Sequence, residues 1–257
     1  MKRYKLLHNA LLFTLALSLA ACSFNKKAIR MSEDNRRVGE AYMGKGDFSE
    51  ALKYFLLAQE FYDKDYLLHD DLGKVYVAKK KYDLAIGHFK KSLELDPEYA
   101  PGKNNLGSAY LLAEQWDNAI EVFTELNENL VYATPHYPLY NLGWAYHNKK
   151  DYKTAIKYYN KCLKVQHGFV QAYRGIGLAY KEMGQMNLAL EYFEKAAEKS
   201  PRFPQLYLDL GEAYAFFKKY DEAMDAFAEI SRIQPDSEIS DQAKSRLVDM
   251  QKKVKEQ

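Results

Sequence analysis

Residues 66–99 read YLLHDDLGKVYVAKKKYDLAIGHFKKSLELDPEY, and this stretch contains the pattern that decides the fold. An apolar helical face surrounds LGxxY, a basic turn follows at Lys79–Tyr82, and a second apolar face lies in LAIxxFxxSLxLDP. The chain carries five further copies. In every copy a glycine is followed by tyrosine three residues later, alanine twelve later and an aromatic ring sixteen later. The glycines are spaced 34, 34, 36, 34 and 34 residues apart: Gly39, Gly73, Gly107, Gly143, Gly177 and Gly211.

A period near 34 residues with this pattern is the signature of tetratricopeptide repeats, and the chain resembles proteins of that class over most of its length. Each repeat is a pair of helices that packs only against its neighbours along the chain. The resemblance therefore implies an all-α fold, a right-handed superhelical solenoid of six repeats. We place the repeats at residues 32–237 and a capping helix at residues 238–257.

The spacing of the framework residues indicates where the helices of a repeat touch. Glycine inside a helix costs ~0.5–1 kcal/mol relative to alanine, so its recurrence indicates a close approach of two backbones. We expect each glycine of a first helix to lie against the alanine of the second helix, with the aromatic ring covering the joint. Replacing Gly143 by leucine would then overpack it.

The first 21 residues, MKRYKLLHNALLFTLALSLAA, have a basic start and an apolar run that ends in small residues, as in a bacterial secretory signal. The next residue completes Leu19-Ala20-Ala21-Cys22, which resembles a lipobox. The resemblance implies cleavage before Cys22, acylation of its thiol and new amino group, and, with Ser23 following, transfer to the outer membrane. The alternative is an ordinary signal peptide with an incidental cysteine. Residues 22–31 are expected to form a lipidated tether reaching roughly 30 Å.

Three further predictions concern the start of repeat one, the irregular repeat three and the capping helix. Ser32 is predicted to cap the first helix of repeat one. The two extra residues of repeat three fall in Asn127–Pro138, which we expect to be a reshaped turn because its prolines disfavour helix before themselves. In the capping helix, one face holds five apolar residues, namely Ile239, Ala243, Leu247, Met250 and Val254.

The sequence contains no recognisable catalytic constellation, and we predict that the protein is not an enzyme. Its six histidines are scattered, and His136 and His147, eleven residues apart, lack a third ligand for a metal. Cys162 is expected to be a buried, inert thiol. If Lys2, Arg3 and Lys5 are removed, 37 basic residues become 34 against 35 acidic ones, a pattern that does not favour nucleic-acid binding. No cofactor, metal or small-molecule substrate is expected.

The predicted binding surface lies along the first helices of repeats three to five. The groove-facing positions of these helices include, besides the residues that we select below, Asn105, Ser108, His147, Arg174, Leu178 and Lys181. Trp144 stands out, because tryptophan anchors protein interfaces, but it could instead pack on the turn at Tyr132–Pro138. The residues we select as partner-binding are Asn104, Leu111, Tyr137, Tyr140, Asn141 and Trp144. Arg36 and Glu40 stand where chaperone-binding relatives carry an acid-terminus clamp, so that role is not expected.

A lipobox, six repeats and a short cap together resemble the pilotin lipoproteins of type IV pili, the PilF, PilW and Tgl group. The most particular likeness is YATPHYPLYNLGWAY at Tyr132–Tyr146. The resemblance implies a lipid-anchored protein on the periplasmic face of the outer membrane that binds secretin subunits and promotes their assembly. The alternatives are an adaptor for cell-wall hydrolases, similar to NlpI-type proteins, and a subunit of outer-membrane barrel assembly.

Overall fold

The computed structural model describes residues 25–128 and 134–255, and within them every regular element is an α-helix. Residues 25–44 belong to helix α1. The remaining helices are α2 (Phe48–Phe61), α3 (Tyr66–Ala78), α4 (Tyr82–Leu95), α5 (Ala100–Leu112), α6 (Trp116–Glu128), α7 (His136–Asn148), α8 (Tyr152–Val165), α9 (Val170–Glu182), α10 (Met186–Lys199), α11 (Pro204–Phe216), α12 (Tyr220–Ile233) and α13 (Glu238–Lys255).

The helices group into two compact units, one ending at Glu114 and the other beginning at Gln115. In the first unit, α2, α3, α4 and α5 pack in chain order, and in the second unit α6 to α13 do the same. Alternate helices also meet, since α3 contacts α5, α7 contacts α9 and α11 contacts α13. This nearest-neighbour packing confirms the predicted all-α fold of stacked helix pairs.

The framework aromatic rings, and not the alanines, explain the recurring glycine. A Cβ placed on Gly143 would lie 2.5 Å from the ring of Tyr159, sixteen residues later. At Gly39 the same test meets the ring of Phe55 at 2.5 Å. Rings such as Phe55 are fully buried, so they have little room to move aside. We expected each glycine to lie against the alanine of the second helix with the ring covering the joint; the alanines are buried there, but the ring lies nearest to the glycine.

The start of the first repeat differs from the prediction. Residues 25–31 already belong to α1, so they rise about 1.5 Å per residue and cannot supply the roughly 30 Å reach of an extended tether. Ser32 lies inside this helix, is 1% exposed, and its hydroxyl donates to the Tyr62 carbonyl at 3.2 Å. It is not an N-cap; it satisfies the carbonyl at the end of α2.

Two other boundaries are refined. Helix α7 begins at His136, so Pro138 lies in its first turn and is buried, a position that tolerates the missing amide hydrogen. The reshaped turn therefore ends before His136, and part of it lies outside the described residues. In α13, Ala243 and Met250 are buried, whereas Val254 is 41% exposed and leaves the predicted apolar face. Across the described ranges, no helix combines the length and apolarity that crossing a membrane requires.

Candidate partner-binding surfaces

The first helices of the first unit meet around a fully buried carboxylate. Asp70 on α3 is 0% exposed and receives a hydrogen bond from the Asn105 amide on α5 at 2.8 Å. Lys74 Nζ lies 2.6 Å from the same carboxylate, and the Tyr99 hydroxyl donates to it at 3.3 Å. Burial opposes the charge on Lys74, but its hydrogen bond to Asp70 and the nearby acids raise its pKa to about 12. Asp70 thus holds α3 against α5.

A second charged cluster joins α1 to α3. The Arg36 guanidinium lies 2.8 Å from Glu40, 3.2 Å from Asp65 and 3.5 Å from Asp71. Burial raises the pKa of Asp71 to about 6, although Lys74 and Arg36 favour its charged form. Arg36 and Glu40 are therefore bound to each other.

These contacts change the assignment of the predicted residues in the first unit. Leu111 is only 2% exposed, so it belongs to the core, and its prediction as a partner-binding residue is corrected. Asn104 is half-buried on α5, and its Oδ1 is buried without a hydrogen-bond donor among the described residues. Most polar groups on this face of α3 and α5 are paired with other residues of the chain. Of the two residues selected there for partner binding, Asn104 and Leu111, Asn104 stays a candidate.

In the second unit, aromatic side chains gather at the start of α7. The Tyr140 ring lies 5.3 Å from the Phe169 ring and 5.7 Å from the Tyr159 ring. Tyr137 packs edge-on against Phe169 at 5.9 Å and stays 46% exposed. His136 touches both Tyr137, at 4.2 Å, and Phe169, at 5.4 Å. The inner side of this cluster is buried, and its outer side is exposed to solvent at Tyr137.

The other selected residues continue along the same helix. Asn141 and Trp144 are half-buried and follow Tyr137 and Tyr140 at helical spacing, so all four share one face of α7. His147, one turn further on, has a buried Nδ1 without a hydrogen-bond partner among the described residues. Burial lowers its pKa, while the charge of Glu182 acts in the opposite direction.

Helix α9 adds basic residues beside this face, and α11 supplies their partners. Arg174 Nε lies 2.5 Å from Asp209 Oδ2, and Lys181 Nζ lies 2.7 Å from Glu212 Oε2. Burial raises the pKa of the Asp209 carboxyl, and the Arg174 charge opposes that shift. The sequence signal that we missed is a spacing close to one repeat between complementary side chains, 35 residues for Arg174 and Asp209 and 31 for Lys181 and Glu212. We call the face formed by Tyr137, Tyr140, Asn141, Trp144, Arg174 and Lys181 the α7–α9 surface.

The described residues include one cysteine, Cys162 on α8. Cys162 is 0% exposed, and burial raises the pKa of its thiol to about 12, which confirms the prediction of a buried thiol. The thiolate is the nucleophile and the metal ligand, so such a group is unreactive at neutral pH. Among the described residues, no three histidine, cysteine or acidic side chains converge as metal ligands.

Comparison with protein families matches the chain to the repeat identified above. Profiles described as "Tetratricopeptide repeat" match residues 104–129, 137–169 and 180–247, and one described as "TPR repeat" matches residues 73–114. Together they cover more than half of the chain. A curated relative, the uncharacterized protein ycf37 of Cyanophora paradoxa, is 30% identical over 98 residues. That match takes in 37% of this chain and spans 57% of the length of the relative.

Solved structures with a similar fold include two type IV pilus proteins. The crystal structure of PilW, described as a widely conserved type IV pilus biogenesis factor, has a TM-score of 0.72 at 20% identity. The match covers 82% of this chain and 97% of PilW. PilF of Pseudomonas aeruginosa has a TM-score of 0.66 at 18% identity, covering 86% of this chain and 99% of PilF. At these identities the likeness is one of fold.

Proposed function

Because the chain belongs to the tetratricopeptide repeat family, we propose that it is a non-catalytic scaffold that binds a segment of a partner protein on its α7–α9 surface. Repeats of this kind present a continuous face made by their first helices, and that face is where a ligand can touch several repeats at once. The fold alone does not name a ligand, so the proposal rests on the side chains of the surface.

The observation that carries the proposal is the arrangement of rings on α7. Tyr137 is 46% exposed beside the half-buried Tyr140 and Trp144, although each stands on a helix whose other face is already packed. Tyrosine and tryptophan contribute large contact areas at low entropic cost and dominate the energy of protein interfaces. Asn141, between them, offers both a donor and an acceptor, which matches the peptide group of an extended ligand.

The partner we propose is a secretin subunit, and the role is that of a pilotin in type IV pilus biogenesis. Two independent features support this choice. The fold resembles those of PilW and PilF along nearly their whole lengths. The N-terminal segment ends in Leu19-Ala20-Ala21-Cys22, the motif of a lipid-modified cysteine.

We further propose that the protein is attached to the periplasmic face of the outer membrane through acyl chains on Cys22. More than one chain makes such an anchor stable, since each buried methylene contributes about 0.8 kcal/mol. Residue 25, three residues after Cys22, already lies in α1, so the repeats would work close to the membrane surface. An anchored scaffold raises the local concentration of captured subunits, which favours their assembly without any covalent step.

The test follows secretin assembly in cells of the source organism. Cells that make a Tyr137→Ala/Trp144→Ala variant should keep normal amounts of the folded protein but lose assembled secretin from the outer-membrane fraction. Secretin rings at the parental level would contradict the pilotin role. Recovery of peptidoglycan hydrolases, and not secretin, with the parent protein would favour the adaptor role instead.

A further inference from the structure

The last repeat breaks a ring-pairing pattern that most of the other repeats keep. In four repeats the framework tyrosine of the first helix lies against a ring of the second helix, twelve residues later, with centroids 5.3–5.6 Å apart. Three of these pairs are stacked, and the Tyr180–Tyr192 pair is tilted by 37°. These pairs are Tyr42–Tyr54, Tyr76–His88, Tyr146–Tyr158 and Tyr180–Tyr192. In the last repeat the second position is Ala226, so Tyr214 has lost the side chain that would cover it.

In repeats four and five a lysine accompanies the second ring, three residues after it. Lys161 Nζ lies 4.9 Å from the centroid of Tyr158, and Lys195 Nζ lies 4.7 Å from that of Tyr192. Such cation–π contacts hold an ammonium group over an aromatic face. The corresponding residue of the last repeat is Glu229. Compared with repeats four and five, the last repeat therefore has an alanine in place of the ring and a glutamate in place of the lysine.

These two exchanges leave an open groove of about 750 Å³ between α10, α11 and α12. Tyr207, Leu210 and Tyr214 on α11 form its floor. Five acidic residues line its walls together with a single arginine, Arg232; the acids are Glu194, Glu198, Glu222, Asp225 and Glu229. Because all of these residues belong to the second unit, the groove is a feature of that unit alone.

Among the residues that the structure describes, only part of this acidic charge is paired. Arg232 lies 2.9 Å from Glu229, and the Tyr214 hydroxyl donates to Glu194 at 2.9 Å. Lys219 reaches the Tyr214 ring from the side of the helix turn, at 5.8 Å. Burial raises the pKa of Tyr214 to about 12, with further contributions from the Glu194 hydrogen bond and the charges of Glu194 and Glu222. Negative charge is thus concentrated over an aromatic floor.

We propose that this groove binds a basic segment of a partner protein, whose lysine or arginine side chains enter between α10 and α12. The entering cation takes the place that Lys161 and Lys195 occupy in their own repeats, and the surrounding carboxylates balance its charge. The aromatic rings of the floor attract a cation through cation–π contacts. The carboxylates of the walls attract it through their negative electrostatic potential. The site is separate from the α7–α9 surface and does not depend on the function proposed for it.

The test uses fluorescein-labelled hexalysine and the full chain in neutral detergent, followed by fluorescence anisotropy at low salt. The parent should bind hexalysine saturably and should not bind hexaglutamate. Ala226→Tyr/Glu229→Lys rebuilds the arrangement of repeats four and five and should bind at least about tenfold more weakly, because it fills the floor and adds an internal cation. A Glu222→Gln/Asp225→Asn variant, which leaves the packing unchanged, should also bind several-fold more weakly.

The control is Glu121→Lys on α6, which makes the same change in net charge as Glu229→Lys at an exposed position elsewhere in the second unit. It should bind hexalysine within about twofold of the parent, since the site itself is intact. An equal loss with the control would mean that only overall charge matters and would overturn the proposal. Unchanged binding by both groove variants, or no saturable binding by the parent, would overturn it as well.

Discussion

Arg174 on α9 and Asp209 on α11 are 35 residues apart in the chain and form two contacts, Nε to Oδ2 at 2.5 Å and an Nη nitrogen to Oδ1 at 3.4 Å. The Asp209 side chain is 7% exposed and that of Arg174 is 24% exposed. The pair joins the first helices of successive repeats, next to the rings of the α7–α9 surface. It therefore holds that surface in shape while leaving Arg174 partly open to a ligand.

Removing the buried acid of this pair should be costly. Asp209→Ala leaves the Arg174 charge partly buried without its partner, and we expect the free energy of unfolding to fall by about 1–3 kcal/mol, less than for a fully buried pair. Urea unfolding of both proteins measures the change. Glu191→Ala, which removes the partner of exposed Lys195, is the control and should change stability by less than about 0.5 kcal/mol. Equal losses would mean that burial of Asp209 is unimportant.

Two glycines in helix interiors should respond in opposite directions to the same substitution. Gly143→Ala forces the Tyr159 ring to move and should destabilise by about 1–3 kcal/mol, and Gly143→Leu by more. Gly87→Ala has nothing within 4 Å of the new methyl group and should stabilise by about 0.5–1 kcal/mol through helix propensity. Thermal unfolding compares them. A neutral Gly143→Ala would refute the ring as the cause of the recurring glycine.

Acid should weaken the first unit through the pair formed by buried His69 and half-buried His88. His69 Nε2 lies 2.8 Å from the Asp63 carbonyl, so its Nδ1, 3.1 Å from His88 Nδ1, accepts the hydrogen of His88. Burial and the neighbouring His69 lower the pKa of His88 to about 4. A histidine with a depressed pKa binds protons more readily when unfolded, so its contribution to stability is present above about pH 6.5 and lost as the pH falls towards 4.

Comparison with a variant isolates this effect. Asp71, whose pKa is raised to about 6, stabilises more at low pH and so changes stability in the opposite direction over part of the same range. His88→Tyr copies the ring found at Tyr158 and Tyr192 and should flatten the acid side of the profile. Urea unfolding of parent and variant between pH 4 and 7 gives both curves. Parallel curves would rule out His88 as the titrating group.

Trp144 should matter for binding and not for folding. Trp144→Ala removes a half-buried ring from the α7–α9 surface, and loss of an interface anchor costs about 2 kcal/mol or more, roughly 30-fold in affinity. Co-purification of the secretin subunit with the variant and the parent measures this. Trp116→Ala, which changes the other tryptophan of the chain, should leave capture unchanged. If Trp144→Ala unfolds the protein while Trp116→Ala does not, the ring belongs to the core.

Cys22→Ala should separate folding from membrane attachment. Without the cysteine thiol no diacylglycerol can be attached, and the variant should leave the membrane fraction while keeping its helical circular dichroism. Fractionation of cells that make parent or variant decides the matter. A variant that stays in the membrane fraction would contradict the lipid anchor, whereas a parent protein that is itself released from the membrane would favour an ordinary signal peptide.

The repeat period predicted the all-α fold, because a 34-residue unit places the same apolar residues on the same helix faces in every copy. Tyr137 and Tyr140, which the pattern predicted to bind a partner, lie in an aromatic cluster that is partly open at Tyr137, and their binding role stays a prediction. The prediction failed where the burial or hydrogen bonding of a side chain depends on contacts with the neighbouring repeat. Ser32 is bound to the carbonyl of Tyr62, thirty residues away, and Leu111 is buried although its position was expected to face the groove.

The remaining omissions have the same physical origin. The contact between Asp70 and Asn105, like that between Arg174 and Asp209, joins residues one repeat plus one apart, and single-helix periodicity does not display such pairs. The groove above Tyr214 corresponds to a sequence difference between repeats: Ala226 and Glu229 stand where repeats four and five carry a tyrosine and a lysine. Comparing repeats position by position, and not only for their shared framework, would have found both features from sequence.

The most direct test of the scaffold function is photo-crosslinking in living cells. A photoreactive residue would replace either Tyr137, on the α7–α9 surface, or Lys157, an exposed residue of α8. We predict a crosslink to a secretin subunit from position 137, its loss when Trp144→Ala is added, and none from position 157. Secretin crosslinks of equal strength from both positions, or only from position 157, would contradict binding on the α7–α9 surface.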